Sequence, residues 1–583
     1  MKRQLLSGLL ALVLVMTGCS GAGSPAGTKE AETTQETTQE TTQEAEEIAA
    51  QEATQKSAQE ATQMSAQEEE PTSAEGTDAQ TQPAEAESDG VRPLFKLQSH
   101  SRMEEKDDTV IASGSYDTVS LTEETIIENF YLNQAIGVEN SMIEEKYEKT
   151  FSEIKEAAEN AMAEQREDSE GFPAGNMEGT IIPVRCDQEV LSFYDMTSLY
   201  YPGAAHGSVG YSGYNFKTAT GEKITLADVF KDPASLKPVV AKYLRAKADG
   251  SPIEDAEDSL QYYFDEGMDD LAWVIDQDGV TFLFAPSDIA PYAMGTLEAK
   301  ISFDGEPSLF TGNYGPSGDG YARTMSPFTE MRVDLDGDGS DEKLSVNGMY
   351  EEGNEINAYS GIQVSVGDQV CTAEQYCYSM QPCFVHTKDG RNYVYVVTGT
   401  DNDYPELTVF AIKDNIPSLV GKMDGTGYAS AFYPAYLDGE YSPDQSVYER
   451  YPMIDPSKFA LGTRMQLMST YSGRRFYEVG EDGMPAPLSD YYEIDADITL
   501  TSLVPLTAET VDLKTEEATG EEKEIPAGTK LNFWRTNGTD LVDMRTDDME
   551  VGEAFRFKVE TGDGQTVNGI KLEEAFDGTV FGG

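Results

Sequence analysis

The stretch YNFKTATGEKITLADVF, residues 214–230, decides how this chain folds. Its aromatic beginning completes a strand predicted at Ser212–Phe216, because aromatic residues favour strands. At its end, Leu226 and Phe230 are predicted to pack in a core, while Asp228 orders a turn or caps a helix. The stretch therefore predicts a strand that leads into a short buried element.

The region around this stretch, residues 93–310, predicts a first folded unit of mixed helix and strand. Apolar residues recur every three or four positions from Ile143 to Ala161, which indicates one buried helix face. Ser141 and Glu144 have capping-box spacing and predict the start of that helix. Short strands and two further helices follow, then a hairpin at 273–284 and a last strand at Ala299–Phe303. Helices mixed with antiparallel strands predict an α+β domain.

Several blocks of this unit resemble a known family. They are YYPGAAHG at 200–207, YNF at 214–216, TGEKITLADVF at 220–230, GVTF at 279–282 and FAPSDIAPYAMG at 284–295. Together they resemble the extracytoplasmic domain shared by the anti-sigma factor RsiV and the peptidoglycan deacetylase PdaC, a PdaC/RsiV-like domain of unknown function. The resemblance implies an α+β domain that lies outside the membrane.

The resemblance also implies a binding or sensing module rather than an enzyme. The RsiV domain is a lysozyme receptor, and the catalysis of PdaC lies in a separate deacetylase domain whose metal-binding Asp/His motif is missing from this sequence. We therefore expect a ligand such as lysozyme, peptidoglycan or another wall component, and we assign no catalytic residue. The candidate ligand-binding residues are Tyr200, Tyr201, His206 and Tyr211.

An alternative function is a cell-wall-modifying enzyme of unrecognised type that uses His206 or acidic residues. A catalytic histidine needs a nucleophile or a carboxylate placed beside it by the fold. The sequence contains no G-x-S-x-G elbow and no Cys/His signature that would supply one. We therefore expect His206 to be a loop histidine whose ring hydrogen-bonds to the backbone.

The content of charged residues limits which kinds of molecule this chain can bind. The 583 residues include 106 Asp and Glu against 41 Lys and Arg, for a formal net charge of −65. Nucleic acid is therefore not expected as a partner, because phosphate binding needs clustered cations. An acidic chain suits a cationic partner such as lysozyme through electrostatic steering.

The N-terminus predicts export and lipid anchoring. Residues 1–19 combine the basic start Met1-Lys2-Arg3, an apolar run at Leu5–Met16 and the lipobox-like Met16-Thr17-Gly18-Cys19. We expect lipidation of Cys19 on the outer face of the bacterial cytoplasmic membrane, with no cytoplasmic output segment before it. Residues 20–92 are rich in Thr, Gln and Glu and predict a disordered acidic linker, because such a composition buries too little apolar surface to fold.

The C-terminal region, residues 321–583, is predicted to be rich in β-strands and to contain a calcium-type loop. Carboxylates at alternate positions between two strand-like segments are typical of loops that bind Ca²⁺. The twelfth position of this loop is not the Glu of a true EF-hand, and the alternative is an acidic β-turn without a metal. Apart from Ca²⁺, no cofactor is expected. The predicted ligands are Asp334, Asp336, Asp338, Ser340 and Glu342.

Four cysteines remain after Cys19, and their pairing is open. Outside the membrane thiols can oxidise, and four cysteines allow three pairings. Cys371 with Cys377, or Cys377 with Cys383, could bridge a hairpin. Cys186 is far from these in sequence and is expected to be a buried free thiol.

Overall fold

The computed structural model describes residues 91–582, apart from 108, 165–173, 255, 266, 269, 351–357, 401–403, 438–439, 495–497, 547–551 and 563. The predicted leader with Cys19, and the predicted linker as far as residue 90, lie outside the described residues. The described residues belong to one compact unit, Asp89–Gly583.

The first sheet packs one face against a long helix, α1, at Phe130–Glu164. Neighbouring strands of this sheet are antiparallel except the second and third, which are parallel. A parallel pair needs a long crossover connection, and α1 provides it. The strands are β1 (Phe95–Lys106), β2 (Thr109–Leu121), β3 (Gly175–Cys186), β4 (Val190–Tyr200) and β5 (Ser208–Lys217).

The predicted start of α1 at Ser141 is wrong. Ser141 lies inside the helix, and its hydroxyl donates to the carbonyl oxygen of Gly137 at 3.1 Å instead of capping a terminus. Leu132 and Ile136 continue the apolar face towards the N-terminus and are almost completely buried. The helix therefore begins earlier because its buried face begins earlier.

A second, four-stranded sheet packs against the first. One of its faces covers a core shared with three short helices, and the other contacts β4 and β5 through Val274 and Leu283. The hairpin predicted at 273–284 is confirmed as its second and third strands. In chain order the elements are α2 (Leu226–Val229), α3 (Lys237–Tyr243), β6 (Leu244–Ala246), α4 (Glu257–Asp265), β7 (Ala272–Ile275), β8 (Gly279–Phe284) and β9 (Leu297–Ser302).

The next region forms two sheets that share one core. The first has the strand order β10-β15-β16-β17-β18, and the second β11-β12-β13-β14. The strands are β10 (Tyr321–Thr324), β11 (Glu330–Val333), β12 (Glu342–Met349), β13 (Tyr359–Val366), β14 (Gln369–Cys377), β15 (Ser379–His386), β16 (Asn392–Gly399), β17 (Pro405–Lys413) and β18 (Ile416–Asp424).

The C-terminal third is also built of strands, which confirms its β-rich character. Apart from one hairpin it forms a single large sheet. The elements are β19 (Thr426–Tyr428), β20 (Ser430–Leu437), β21 (Glu440–Arg450), β22 (Phe459–Gln466), β23 (Thr470–Val479), β24 (Pro485–Pro487), β25 (Tyr492–Ile494), β26 (Thr499–Ser502), β27 (Leu506–Val511), β28 (Ala518–Ile525), β29 (Lys530–Thr536), β30 (Leu541–Thr546), β31 (Ala554–Gly562), β32 (Gly564–Val567), β33 (Ile570–Lys571), α5 (Leu572–Ala575) and β34 (Phe576–Asp577).

The hairpin β20–β21 lies outside that large sheet and adds two strands to the first sheet. Strand β21 pairs with β1 from Leu97 opposite Arg450 to Arg102 opposite Gln445. The guanidinium of Arg450 also pairs with the buried carboxylate of Asp117 at 2.5 Å. The regions predicted as 93–310 and 321–583 therefore share one seven-stranded sheet.

The described cysteines are all free thiols. Cys186 is buried, as predicted, and its thiol donates to the carbonyl oxygen of Pro93 at 3.2 Å. Neither of the two hairpin disulfides considered from the sequence is present. The register explains this, because Cys371 lies opposite Val364 and Cys377 lies opposite Tyr359.

Candidate functional site

The alternation of strand β5 explains the aromatic beginning of the 214–230 stretch. Tyr214 and Phe216 face the α1 side of the sheet and pack with Phe193. Asn215 faces the other way and joins β5 to β7. Its amide oxygen accepts from the Ile275 N–H at 3.0 Å, and its amide nitrogen donates to the Trp273 carbonyl at 2.9 Å.

The predicted role of Asp228 is confirmed. Its carboxylate accepts from the backbone N–H and the hydroxyl of Thr225, at 2.8 and 2.7 Å, and caps helix α2. The bond from the Thr225 hydroxyl holds the pKa of Asp228 below its usual value. Leu226 and Phe230 are buried in the core, as the sequence predicts. This carboxylate therefore has a structural role.

The loop after β4 presents His206 on the surface. Its ring lies 4.3 Å from the ring of Tyr292, and both side chains are exposed. The imidazole Nδ1 donates to the carbonyl of Gly207 at 2.9 Å, and the Tyr292 hydroxyl donates to the same oxygen at 3.3 Å. The expected hydrogen bond from the ring to the backbone is therefore present. Tyr292 belongs to another of the blocks that carry the family resemblance.

The structure does not bring the four candidate ligand-binding residues together. Tyr201 packs against the α1 core, and its hydroxyl lies 3.5 Å from Glu153. Tyr211 lies on the opposite face of the sheet, with its ring 5.9 Å from the ammonium of Lys247. Tyr200 is half-buried at the end of β4. Of the four, only His206 is exposed, and the sequence did not indicate that Tyr292 is its neighbour.

The acidic loop connects β11 and β12, as its flanking strand-like segments predict. Asp334, Asp336 and Asp338 each offer a carboxylate oxygen, and these oxygens lie within 4.8 Å of one another. Two oxygens bound to the same Ca²⁺ are at most about 5 Å apart. The spacing of these three carboxylate oxygens therefore allows all of them to contact one Ca²⁺, a cation that prefers oxygen ligands.

The other two predicted ligands are placed differently. The carboxylate of Glu342 accepts from the Leu335 N–H at 2.9 Å and lies outside the triad. The Ser340 N–H donates to Asp338 at 2.8 Å. Asn415, which the sequence analysis missed, donates from its amide nitrogen to Asp336 at 3.0 Å, and its buried amide oxygen has no hydrogen-bond partner. Asn415 is 79 residues from Asp336 in sequence, so no local pattern connects them.

A cavity of about 290 Å³ lies between the β6–β9 sheet and strands β10 and β11. The sequence analysis missed it. Strand β9 alternates apolar residues, which face the core, with Glu298 and Lys300, and such charged positions look solvent-exposed in sequence. In the structure β10 and β11 cover this face. The charged lining residues are Arg245, Lys247, Asp276, Glu298, Lys300, Arg323, Glu330, Arg332 and Asp341.

Part of this region defines a recognised domain. Residues 227–304 match the family model DUF3298, described as a protein of unknown function. The match includes Asp228, Tyr292 and the β6–β9 sheet, and it supports the predicted PdaC/RsiV-like domain. The loop with His206 precedes the matched residues. No curated protein matches the chain.

Solved structures similar to this chain include two DUF3298 family proteins. A member of the DUF3298 family from Bacteroides fragilis is 16% identical, covering 39% of this chain and 96% of its own, with a TM-score of 0.28. A DUF3298 family protein from Pseudomonas aeruginosa is 14% identical, covering 39% of this chain and 99% of its own, with a TM-score of 0.24. Among the described residues, no helix has the length and apolar character needed to cross a membrane.

Proposed function

We propose that this protein is a lipid-anchored bacterial lipoprotein that binds or senses a ligand at the cell envelope. Lysozyme, peptidoglycan or another wall component is the proposed ligand. The lipobox-like Met16–Cys19 and the polar linker support an anchored, extended module. The DUF3298 match supports the family resemblance from which this function follows.

The exposed pair formed by His206 and Tyr292 carries the proposal. The two rings come from separate blocks of the family resemblance, yet they pack at 4.3 Å and share one carbonyl acceptor. Exposed aromatic rings held in place by their own contacts lose little entropy when they bind a partner. We therefore place the ligand contact at this pair.

The same geometry favours binding over the enzymatic alternative. The ring nitrogen of His206 that forms a hydrogen bond within the described residues is bonded to a backbone carbonyl, not to a carboxylate or a nucleophile. A general base is normally oriented by such a partner. An exposed histidine bound only to the backbone suits a contact residue better.

Pull-down with peptidoglycan sacculi and with lysozyme tests the contact. The parent full-length chain is compared with His206→Ala and Tyr292→Ala. Because aromatic contact residues often contribute about 2 kcal/mol, each variant should bind at least about tenfold more weakly. Tyr262→Ala is the matched control, since Tyr262 is 61% exposed on α4 and should have no effect.

Two results would contradict the proposal. If His206→Ala and Tyr292→Ala bind as the control does, the pair is not the contact. If the chain instead releases soluble products from sacculi, and His206→Ala abolishes the release, the enzymatic alternative is correct.

The anchor has a separate test. The parent should enter the detergent phase on partitioning, whereas Cys19→Ala should remain in the aqueous phase, because a lipid chain adds about 0.8 kcal/mol of transfer free energy per buried methylene. Membrane fractionation of Cys19→Ala would refute lipidation as the means of attachment.

We also propose that the Asp334–Asp338 loop binds one Ca²⁺. The convergence of three carboxylates supports this, because without a cation their like charges repel at short range. Turning over the amide of Asn415 would offer its unpartnered oxygen as a further ligand beside Asp336. The ion would stabilise the turn between β11 and β12.

A further inference from the structure

The cavity beneath β10 and β11 contains cations that lack carboxylate partners. Within the described residues, none of Arg245, Lys247, Arg323 and Arg332 has a carboxylate oxygen within 4.0 Å. This is unusual in a chain whose acidic residues outnumber its basic residues by 106 to 41. These four residues are half-buried, and charges partly withdrawn from water are costly unless they are paired, so the cavity favours an anionic ligand.

The hydrogen bonds that these cations donate go to uncharged acceptors. Arg245 donates to the backbone carbonyls of Leu244 and Lys242, and the ammonium of Lys247 reaches the hydroxyl of Tyr194 at 3.2 Å. The guanidinium of Arg332 donates to the Gly250 carbonyl at 3.4 Å, and its buried Nε has no hydrogen-bond partner among the described residues. Each retains unused donors.

Two of the carboxylates in the cavity already have partners. Asp276 is fully buried, lies 3.7 Å from the ammonium of Lys300 and accepts from the Thr281 hydroxyl at 3.0 Å. Glu330 pairs with Lys343 at 2.6 Å. Glu298 and the exposed Asp341 remain. Lys300 also lies 2.6 Å from Asp278, so with Asp278 and Lys343 included six cations face five carboxylates, and one positive charge is in excess.

We propose that this cavity is a binding site for a small molecule that bears an oxyanion, either a carboxylate or a phosphate. Guanidinium groups donate two parallel hydrogen bonds to such groups, and an ammonium adds a point charge. The volume of about 290 Å³ is close to the lower end of roughly 300–1,000 Å³ for small-molecule sites, which excludes a folded protein. Part of the remaining wall is apolar and can hold an organic body: Ile182, Val184, Leu283 and Met325.

Calorimetric titration of the full-length chain at constant ionic strength tests the proposal. Sodium phosphate and sodium succinate serve as probes in separate arms, so that the preferred oxyanion is identified. At least one probe should bind saturably. The double variant Lys247→Gln/Arg332→Gln should bind it at least about tenfold more weakly, because charge-assisted hydrogen bonds are lost. Arg102→Gln is the matched control, since Arg102 forms an exposed pair with Glu148.

Thermal melting distinguishes a binding role from a structural role. Without a probe, the double variant should melt at or above the temperature of the parent, because neither removed cation has a carboxylate oxygen within 4.0 Å among the described residues. The bound probe should raise the melting temperature of the parent and of Arg102→Gln, but not that of the double variant. The proposal is overturned if neither probe binds the parent, or if the double variant binds as the parent does. It is also overturned if the double variant melts lower without a probe.

Discussion

Replacing Arg92 should destabilise both halves of the described chain at once. Arg92 was predicted to end the linker, but its side chain is only 14% exposed and touches three distant segments. It donates to the carbonyl oxygens of Cys186 at 2.6 Å, Gly320 at 3.0 Å and Ile454 at 3.4 Å, and it pairs with Asp455 at 3.1 Å. One guanidinium therefore connects the ends of β1 and β3 to the C-terminal region.

The expected decrease in the free energy of unfolding follows from these contacts. A hydrogen bond from a charged donor contributes about 1.5–3 kcal/mol, and Arg92→Ala removes at least two short ones together with an ion pair. The adjoining cavity of about 20 Å³ has room for about one water molecule, which would restore part of the loss. Asp455 also keeps its bonds from Ser457. We therefore expect a decrease of about 3 kcal/mol in the free energy of unfolding.

Urea unfolding followed by fluorescence measures this decrease in each half separately. The chain has two tryptophans, Trp273 in the β6–β9 sheet and Trp534 in the C-terminal sheet, so a Trp→Phe change at either one leaves a reporter in one half. Both reporters should show the shift. Arg92→Lys keeps the charge but loses the planar fork and should have an intermediate effect.

Arg102→Ala is the control, because its pair with Glu148 at 2.7 Å is exposed and should contribute less than about 1 kcal/mol. The reasoning is refuted if Arg92→Ala costs no more than this control, or if only one tryptophan reports a shift.

Three other outcomes are expected. Free Ca²⁺ at about ten times the Kd should stabilise the protein by about 1.4 kcal/mol and raise its melting temperature. The double variant Asp336→Ala/Asp338→Ala should abolish the rise. A rise that persists in this variant would exclude the loop as the site. In the native protein, half-buried Cys371 should react with a thiol reagent well before the other three described thiols, because those three are buried and burial raises their pKa values. Equal rates for all four thiols would contradict this. Burial alone would raise the pKa of Asp276, but the half-buried cations Lys300 and Arg323 hold that pKa below its usual 3.8. Its contribution to stability should therefore be present above about pH 4 and lost as the pH falls further. Asp276→Asn should flatten urea-measured stability between pH 4 and 2, and an unchanged slope would show that this group does not titrate with folding.

Local patterns in the sequence were sufficient for several elements and for the resemblance that the DUF3298 match supports. The apolar spacing from Ile143 onwards predicted the buried face of α1, because helical geometry places every third or fourth residue on one side. The hairpin at 273–284, the strands around the acidic loop and the capping role of Asp228 were equally local. Of the blocks that resemble the RsiV and PdaC domain, those at 279–282 and 284–295 lie within the DUF3298 match, and the block at 220–230 overlaps its start. The blocks at 200–207 and 214–216 precede the match.

Contacts between distant parts of the chain were decided only by the tertiary structure. Leu97 pairs with Arg450, and Asp336 meets Asn415, although nothing near either residue in sequence indicates its partner. A strand edge can accept any strand with free backbone groups, so the choice of β21 depends on side-chain contacts such as Arg450 with Asp117. The cation-rich cavity arises in the same way, because strands β10 and β11 cover charged positions of β9 that alternate as a solvent-exposed face would.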